Sequence, residues 1–301
     1  MNQLPHISTT ITDVRTQVRT WRQKGLKIGF VPTMGYLHQG HLSLIRLALE
    51  HTDKVVVSIF VNPTQFAANE DLDRYPHDID GDIEKVRQAG GSLIFLPTVE
   101  TMYPPNAQTF VEVSDVTKPL CGLSRMNHFR GVTTVVTKLF NIVQPDVAVF
   151  GRKDYQQLVA IQQMVADLNM PIKVIGGLTI REKDGLAMSS RNVHLSKTER
   201  QTALAINQSL RAARQLFASG EKSPSRLLAL VSSFLEQYKE IKCEYIELRD
   251  SQKLTEIQTE ADGSDRLFIA VKLGETRLID NASLAEDCLL DHLEYPLDST
   301  L

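Results

Sequence analysis

Apolar and polar positions along the chain fall into short alternating blocks. "LKIGFV" (26–31) is an apolar run of strand length, and "HLSLIRLALEHT" (41–52) sets Leu42, Ile45 and Leu49 at helical spacing. "KVVVSIFV" (54–61) is β-branched and predicts a strand. "DIEKVRQAGG" (82–91) predicts a helix stopped by glycine. "SLIFLP" (92–97) predicts a strand, and the alternation in "QTFVEVSD" (108–115) predicts a half-exposed one. "GVTTVVTKLFNIVQ" (131–144) predicts a helix, with Val132, Val135, Val136 and Leu139 on one side. "DVAVFG" (146–151) and "IKVIGG" (172–177) predict strands around a helix in "YQQLVAIQQMVADLN" (155–169). Strand and helix taking turns in this way predict a parallel sheet covered on both faces.

The pattern changes after "REKDGLAMSSRN" (181–192). Two amphipathic helices are expected over 197–219 and 223–238, then strands in "CEYIELRD", "RLFIAVKL" and "TRLIDN". The expected fold is α/β: a Rossmann-like parallel-sheet domain over residues 1–180, then a smaller α+β domain over 181–301. The length of 301 residues agrees, at roughly 150 residues per domain. The acidic end of the chain, "LAEDCLLDHLEYPLDSTL" (284–301), is expected to be partly disordered.

Composition excludes several classes. A formal net charge of -3 supplies no basic surplus for phosphate-backbone contacts, which argues against nucleic-acid binding. No apolar run approaches the roughly 20 residues of a membrane span, and the N-terminus lacks a signal-peptide core. Cys121, Cys243 and Cys288 are far apart and form no metal-binding pair, as expected of a cytoplasmic protein.

The chemistry begins at "PTMGYLHQGHLSLI" (32–45), where a glycine-rich turn joins the first apolar strand to a helix. Ligands of open α/β sheets sit beyond the carboxyl ends of the strands. A helix N-terminus offers unpaired N–H groups to phosphate. Gly35 and Gly40 allow close backbone approach, and the imidazoles of His38 and His41 can donate to phosphate oxygens, with charge assistance if protonated. The plainer alternative is that one histidine caps the helix and the other is solvated. A zinc site is the weaker rival, because no third ligand of matching spacing stands nearby. The turn has neither the dinucleotide glycine pattern nor a Walker lysine.

"HQGH" resembles the HIGH-type histidine signature of the nucleotidylyltransferase and class I aminoacyl-tRNA synthetase superfamily, and "MSSRN" (188–192) stands where that superfamily carries its second loop. Together with "FVNPTQF" (60–66), "FGRKDYQQL" (150–158) and "DGLAMSSRNVHL" (184–195), "PTMGYLHQGH" closely resembles the pantoate–β-alanine ligase family; "MYP", "HFRGV" and "TRLIDN" agree. The resemblance implies ATP-dependent joining of pantoate and β-alanine through pantoyl adenylate, releasing pyrophosphate and AMP. It also implies a homodimer, for which 108–115 is a plausible edge strand. The position of "MSSRN" at the expected domain boundary suggests that the second domain closes over the site as a lid.

The same resemblance carries residue roles. Met34, Gly35, His38, Gly40 and His41 would line the ATP site, with His41 as proton donor and His38 on the phosphates. Gly151, Lys153 and Asp154 would join the nucleotide site, and Lys153 would neutralise phosphate charge. Ile180 would meet adenine through its backbone, and Met188, Ser189, Ser190 and Arg191 would clamp the triphosphate. Gln65 and Gln157 would hold pantoate, while Asn62 is either a further polar contact or a turn residue. ATP would arrive with Mg²⁺, for which Asp82 is a candidate ligand. Two departures stand out: Arg152 replaces a frequent Glu, and "RMNHFRG" lacks the proline that often follows its arginine, so His128 receives no role. The rivals are an adenylyl transferase acting on a phosphate-bearing acceptor, against which Gln65 and Gln157 speak because neither is a cation, and a nucleotide-binding module without turnover.

Overall fold

The computed structural model describes residues 4–67 and 70–285. Most of the acidic end expected to be disordered, with Cys288, lies outside the described residues. The chain divides into two compact units, Met1–His194 and Leu195–Leu301.

The first unit opens with β1 (His6–Ser8) and α1 (Ile11–Gln23), two elements the sequence reading did not anticipate. Thr10 caps α1 by accepting from Asp13 N, and Val14, Val18 and Trp21 form its buried face. There follow β2 (Ile28–Thr33), α2 (Gln39–Leu49), β3 (Lys54–Ile59), α3 (Ile79–Ala89), β4 (Leu93–Phe95) and the short α4 (Val99–Met102) and α5 (Cys121–Ser124). The unit continues with α6 (His128–Val143), β5 (Val147–Gly151), α7 (Tyr155–Asp167) and β6 (Lys173–Gly177). The six strands form one parallel sheet in the order β1-β4-β3-β2-β5-β6. The order reverses at β2, whose neighbours are β3 and β5. That switch point is where the loops after β2 and β5 part to opposite faces and leave a crevice.

The central strands are fully buried, with Val31, Val57, Ile94 and Val149 each 0 % exposed, which explains apolar runs instead of alternation. The alternating stretch 108–115 forms no strand, which corrects the sequence reading. Val111 finds its partners on α6: Thr134 Oγ1 accepts from its N–H at 3.0 Å, and Thr133 Oγ1 donates to its carbonyl at 2.6 Å. Val113 is buried and Phe110 exposed because the segment leans on a helix, so alternation arises without a neighbouring strand.

The first unit also runs past the expected boundary at Ile180. Residues 180–188 fold back as a small hairpin, in which Met188 N donates to Ile180 O at 3.0 Å and Arg181 bridges Ala187. The "SSRN" segment follows as a 3-10 turn (Ser190–His194) tied to the same unit. The second unit holds α8 (Lys197–Ala218) and α9 (Pro224–Leu235), then β7 (Ile241–Arg249), β8 (Arg266–Leu273) and β9 (Thr276–Ser283) in one antiparallel sheet. A capping box between Ser196 and Glu199 starts α8.

Phe30 lies at the centre of the parallel sheet, 0 % exposed, with its ring edge-on to Phe140 of α6 at 6.2 Å. Phe30→Ala should lower the unfolding free energy by about 3–5 kcal/mol, read from urea denaturation. A loss under about 1 kcal/mol would show that α6 does not pack on the sheet as described.

Candidate active site

Every stretch singled out in the first unit gathers at the carboxyl ends of β2, β3, β5 and β6. The loop after β2 is the tightest. Gly35 and Tyr36 both have positive φ, 88° and 51°. A Cβ on Gly35 would lie 3.0 Å from Ile59 Cγ2 and 3.1 Å from Asp82 Oδ2, so only glycine fits without a shift. Tyr36 has no such freedom, and its left-handed backbone costs about 1–2 kcal/mol. Asp82, 1 % exposed in the first turn of α3, offsets that cost. Its Oδ2 accepts from Tyr36 N at 2.7 Å and its Oδ1 from Leu37 N at 2.6 Å. Burial pushes the Asp82 carboxyl above its ordinary value, against the two amides and Lys85, whose Nζ is 3.8 Å away.

This arrangement bears on Asp82, the candidate metal ligand. Successive amides in such a turn form an anion-binding nest, but here the anion is the protein's own carboxylate. With one amide on each oxygen, Asp82 is built to hold the loop. Among the described residues, no three His, Cys, Asp or Glu side chains are placed to hold a metal ion.

The histidines also differ from the simplest picture of a bare helix terminus. His38 is the N-cap of α2, its Nδ1 accepting from Gly40 N at 3.2 Å; His41 Nδ1 accepts from His38 N at 3.3 Å. Capping and chemistry are therefore not alternatives. Two N–H groups are satisfied by ring nitrogens, and each ring is left as the Nε2–H tautomer with that hydrogen to donate. The ring centroids are 4.1 Å apart. A Cβ on Gly40 would come within 2.9 Å of the His38 ring, which explains the glycine between them. Burial, then the charge of Lys153, lowers His38 to about 4. Burial, then its neighbour His38, holds His41 well below the ordinary histidine value. At neutral pH both are uncharged donors, so the positive charge at this site comes from Lys153, Lys85 and the arginine of the "SSRN" turn.

Lys153 sits in a 3-10 turn, Arg152–Asp154, between β5 and α7, with Asp154 Oδ1 3.9 Å from its Nζ. A Cβ on Gly151 would meet nothing closer than Leu44 Cδ1 at 3.9 Å, so close packing does not demand that glycine. Ser190 Oγ donates to Tyr36 O at 3.4 Å, which seats the "SSRN" turn on the β2 loop, and Met188 Cβ lies 3.9 Å from the Cβ position of Gly40. Ser189 Oγ accepts from Arg191 N at 3.3 Å. Arg191 makes a two-pronged contact with Asp71, Nε to Oδ2 at 2.7 Å and Nη2 to Oδ1 at 2.9 Å. The Ile180 carbonyl accepts from Met188 N, while Gln157 is half-buried in the first turn of α7.

Gln65, 9 % exposed, ends a 3-10 turn after β3. Its Nε2 lies 3.2 Å from Met34 Sδ, which joins the β3 loop to the β2 loop. Asn62 is 1 % exposed and wholly engaged. It donates to Gln65 Oε1 at 3.0 Å and Gly131 O at 3.2 Å, and it accepts from the hydroxyls of Thr64 and Tyr103, each at 2.9 Å. Of its two expected roles the structure assigns the turn. Several supporting residues escaped the sequence reading: Asn62 in this capacity, Asp71, Arg125, His128, and Gln156, whose amide pins 116–121 through Cys121 N, Val116 O and Pro119 O. Each has at least one partner distant in sequence, which no local spacing reveals, although Asn62 also reaches Gln65 three residues on.

The family model for pantoate-β-alanine ligase matches residues 6–283. The pantothenate synthetase of Pelotomaculum thermopropionicum is 51% identical over 280 residues, 93% of this chain and 99% of that protein. That of Enterococcus faecalis is 51% identical over 275 residues, 91% of this chain and 97% of the relative. The crystal structure of pantothenate synthetase from Thermus thermophilus superposes with a TM-score of 0.87 at 39% identity, covering 93% of this chain and 100% of that one. The ligase of Francisella tularensis, crystallised with beta-gamma ATP and β-alanine, gives a TM-score of 0.76 at 34% identity, covering 93% of this chain and 98% of its own.

Two outcomes are expected. Asp82→Asn places an amide NH₂ against a backbone N–H and should cost about 1–3 kcal/mol of stability, read by denaturation; an unchanged midpoint would mean that the carboxylate does not hold the loop. His38, His41 and His128 all have folded pKa values below the ordinary 6.5, so the unfolded chain binds more protons as pH falls. Stability should fall from about pH 6.5 toward pH 4, seen as a declining Tm. A flat Tm between pH 7 and 5 would contradict the buried neutral rings.

Proposed function

The chain belongs to the pantoate–β-alanine ligase family, and from that premise we propose that it joins pantoate to β-alanine at the expense of ATP, through a pantoyl-adenylate intermediate. The observation that carries the reading is the pair of neutral imidazoles, each with its Nε2–H left to donate, at the sheet's switch point beside Lys153 and the buried Gln65 amide. In the first step a pantoate carboxylate oxygen attacks the α-phosphorus of ATP and pyrophosphate leaves. In the second, the β-alanine amine attacks the acyl carbon, AMP leaves with the bonding pair, and the nitrogen gives up a proton.

Each residue has a part that suits its chemistry. The Nε2–H groups of His38 and His41 meet phosphate oxygens whose charge shifts as the leaving group departs, and Lys153 adds a full positive charge. Gly35, Gly40 and Met34 shape the nucleotide's seat, together with Gly151, Asp154 and the Ile180 backbone. Ser189, Ser190 and Arg191 bind the triphosphate, Arg191 exchanging the Asp71 carboxylate for phosphate oxygens of like geometry. Gln65 and Gln157 hold pantoate. With both oxygens of Asp82 engaged by amides, Mg²⁺ is taken as part of the Mg·ATP substrate, its ligands being phosphate oxygens and water. The reaction depends mainly on alignment of the reactants. The proposal extends to a homodimer in the cytoplasm, which sedimentation velocity of the purified chain tests for assembly.

Pyrophosphate and AMP are to be followed with Mg·ATP and pantoate, with and without β-alanine. Sustained release of both only when all three substrates are present is the expected result. No release with any combination would refute the pantoate assignment. His41→Ala should lower the rate of adenylate formation about 10²–10³-fold, with a much smaller change in ATP affinity, because the imidazole acts on charge that develops during the step. Equal effects on rate and affinity would reduce His41 to a ground-state ligand.

A further inference from the structure

Behind Gln65 lies a partly buried polar chain that the reaction scheme does not use. Glu70 grips Arg125 with two short contacts, Oε1 to Nε and Oε2 to Nη2, both 2.6 Å. Arg125 Nη1 lies 3.1 Å from His128 Nε2. His128 Nδ1 lies 2.9 Å from the backbone carbonyl of Gln65, and Arg125 Nη2 reaches the same oxygen at 3.5 Å. His128 is 8 % exposed.

The geometry fixes the protons. A guanidinium has donors and no acceptor, so His128 Nε2 carries the lone pair. The ring is then neutral with its hydrogen on Nδ1, and it donates to Gln65 O. Burial and the Arg125 charge, which lower this ring to about 4, act in the same direction. The Gln65 carbonyl lies at the end of its 3-10 turn, beyond the bond from Phe66 N to Pro63 O that closes it, where a turn leaves acceptors without backbone partners. Side chains 60 and 63 positions away in sequence supply the hydrogens instead.

The other end of Gln65 is fixed as firmly. Asn62 Nδ2 faces the Gly131 carbonyl, an obligate acceptor, so that atom is the nitrogen and not the oxygen. It donates to Gln65 Oε1, which turns the Gln65 NH₂ toward Met34 Sδ. A thioether is a weak acceptor, so this NH₂ is the group with hydrogens to give to a bound oxygen. A Cβ on Gly131 would stand 2.4 Å from Thr64 O, so the first turn of α6, which carries His128, presses directly on the turn that carries Gln65.

We propose that His128, oriented by the Arg125–Glu70 pair, is a positioning residue for pantoate: it anchors the Gln65 backbone so that the side-chain NH₂ is aimed at an oxygen of the hydroxy acid. This rests on the reading of Gln65 as a pantoate contact. The alternative is a merely structural polar cluster, which would stabilise the loop with no preference between substrates.

The test uses steady-state kinetics with pantoate and ATP varied separately, together with Tm, for Gln65→Ala, His128→Leu, His128→Asn and Arg125→Gln. His128→Leu should raise the pantoate KM about tenfold, the equivalent of one hydrogen bond, with the ATP KM within about twofold. His128→Asn, whose amide can donate from near the Nδ1 position, should bring the pantoate KM back to within about threefold of the parent. Arg125→Gln should shift pantoate in the same direction by about threefold, and it serves if His128→Leu does not fold. A pantoate KM unchanged in both His128→Leu and Arg125→Gln overturns the proposal. So does an equal rise in both KM values with a fall in Tm, or a His128→Asn variant no better than His128→Leu. Gln65→Ala separates the two levels: if it leaves the pantoate KM unchanged, the reading of Gln65 itself has failed, whatever His128 does.

Discussion

The carboxylate of Asp82 under the loop after β2 is the contact on which the rest of the site depends. That loop must turn through two left-handed residues, and only one of them is glycine. The second, Tyr36, stays there because its own amide and the next one both close on a buried anion. Once the loop is held, His38 falls at the N-cap of α2 and His41 one turn on, and their Nδ1 atoms take the N–H groups that a bare helix would leave open. Their opposite nitrogens become donors as a consequence of capping. A single buried carboxylate on α3 thus orients two imidazoles on a different element.

Burial then sets the charge state. Two rings 4.1 Å apart beside a lysine cannot both hold a proton cheaply in a desolvated site. A neutral imidazole still offers one N–H to a bound acceptor without the cost of burying a charge. Besides Lys85 at Asp82, full positive charges lie on Lys153 and Arg191. Each faces a carboxylate of the protein, Asp154 and Asp71 respectively. Glu70 and Asp71, adjacent in sequence, reach two different arginines, one behind the Gln65 turn and one in the "SSRN" turn. The loop after β3 is thereby tied at neighbouring residues to α6 through Arg125 and to the "SSRN" turn through Arg191.

Much of this was legible in the sequence. Apolar runs of strand length alternating with 3.6-residue periodicity were enough for the doubly covered parallel sheet, because central parallel strands are buried on both faces and show it in composition. The glycines around His38 and His41, and the ordered motifs shared with one enzyme family, marked the site loops. Local rules misled where the local pattern had two possible causes. Alternation in 108–115 came from lying along α6, and the change of composition near Ile180 preceded the true break because a hairpin turns back onto the first unit.

The sequence by itself therefore determined the fold class, the family and which loops carry polar groups, since these follow from periodicity and from motifs contiguous in the chain. Only the tertiary structure decided what each polar group does. Asp82 became a loop clamp, His38 a cap that keeps a free donor, Asn62 the brace of Gln65, and His128 a neutral ring between an arginine and a carbonyl. Hydrogen-bond roles and protonation depend on which atoms come within about 3 Å of one another. For Asp82, for His128 and for the Gly131 and Tyr103 contacts of Asn62, those neighbours come from distant parts of the chain, so folding has to bring them together before the role exists.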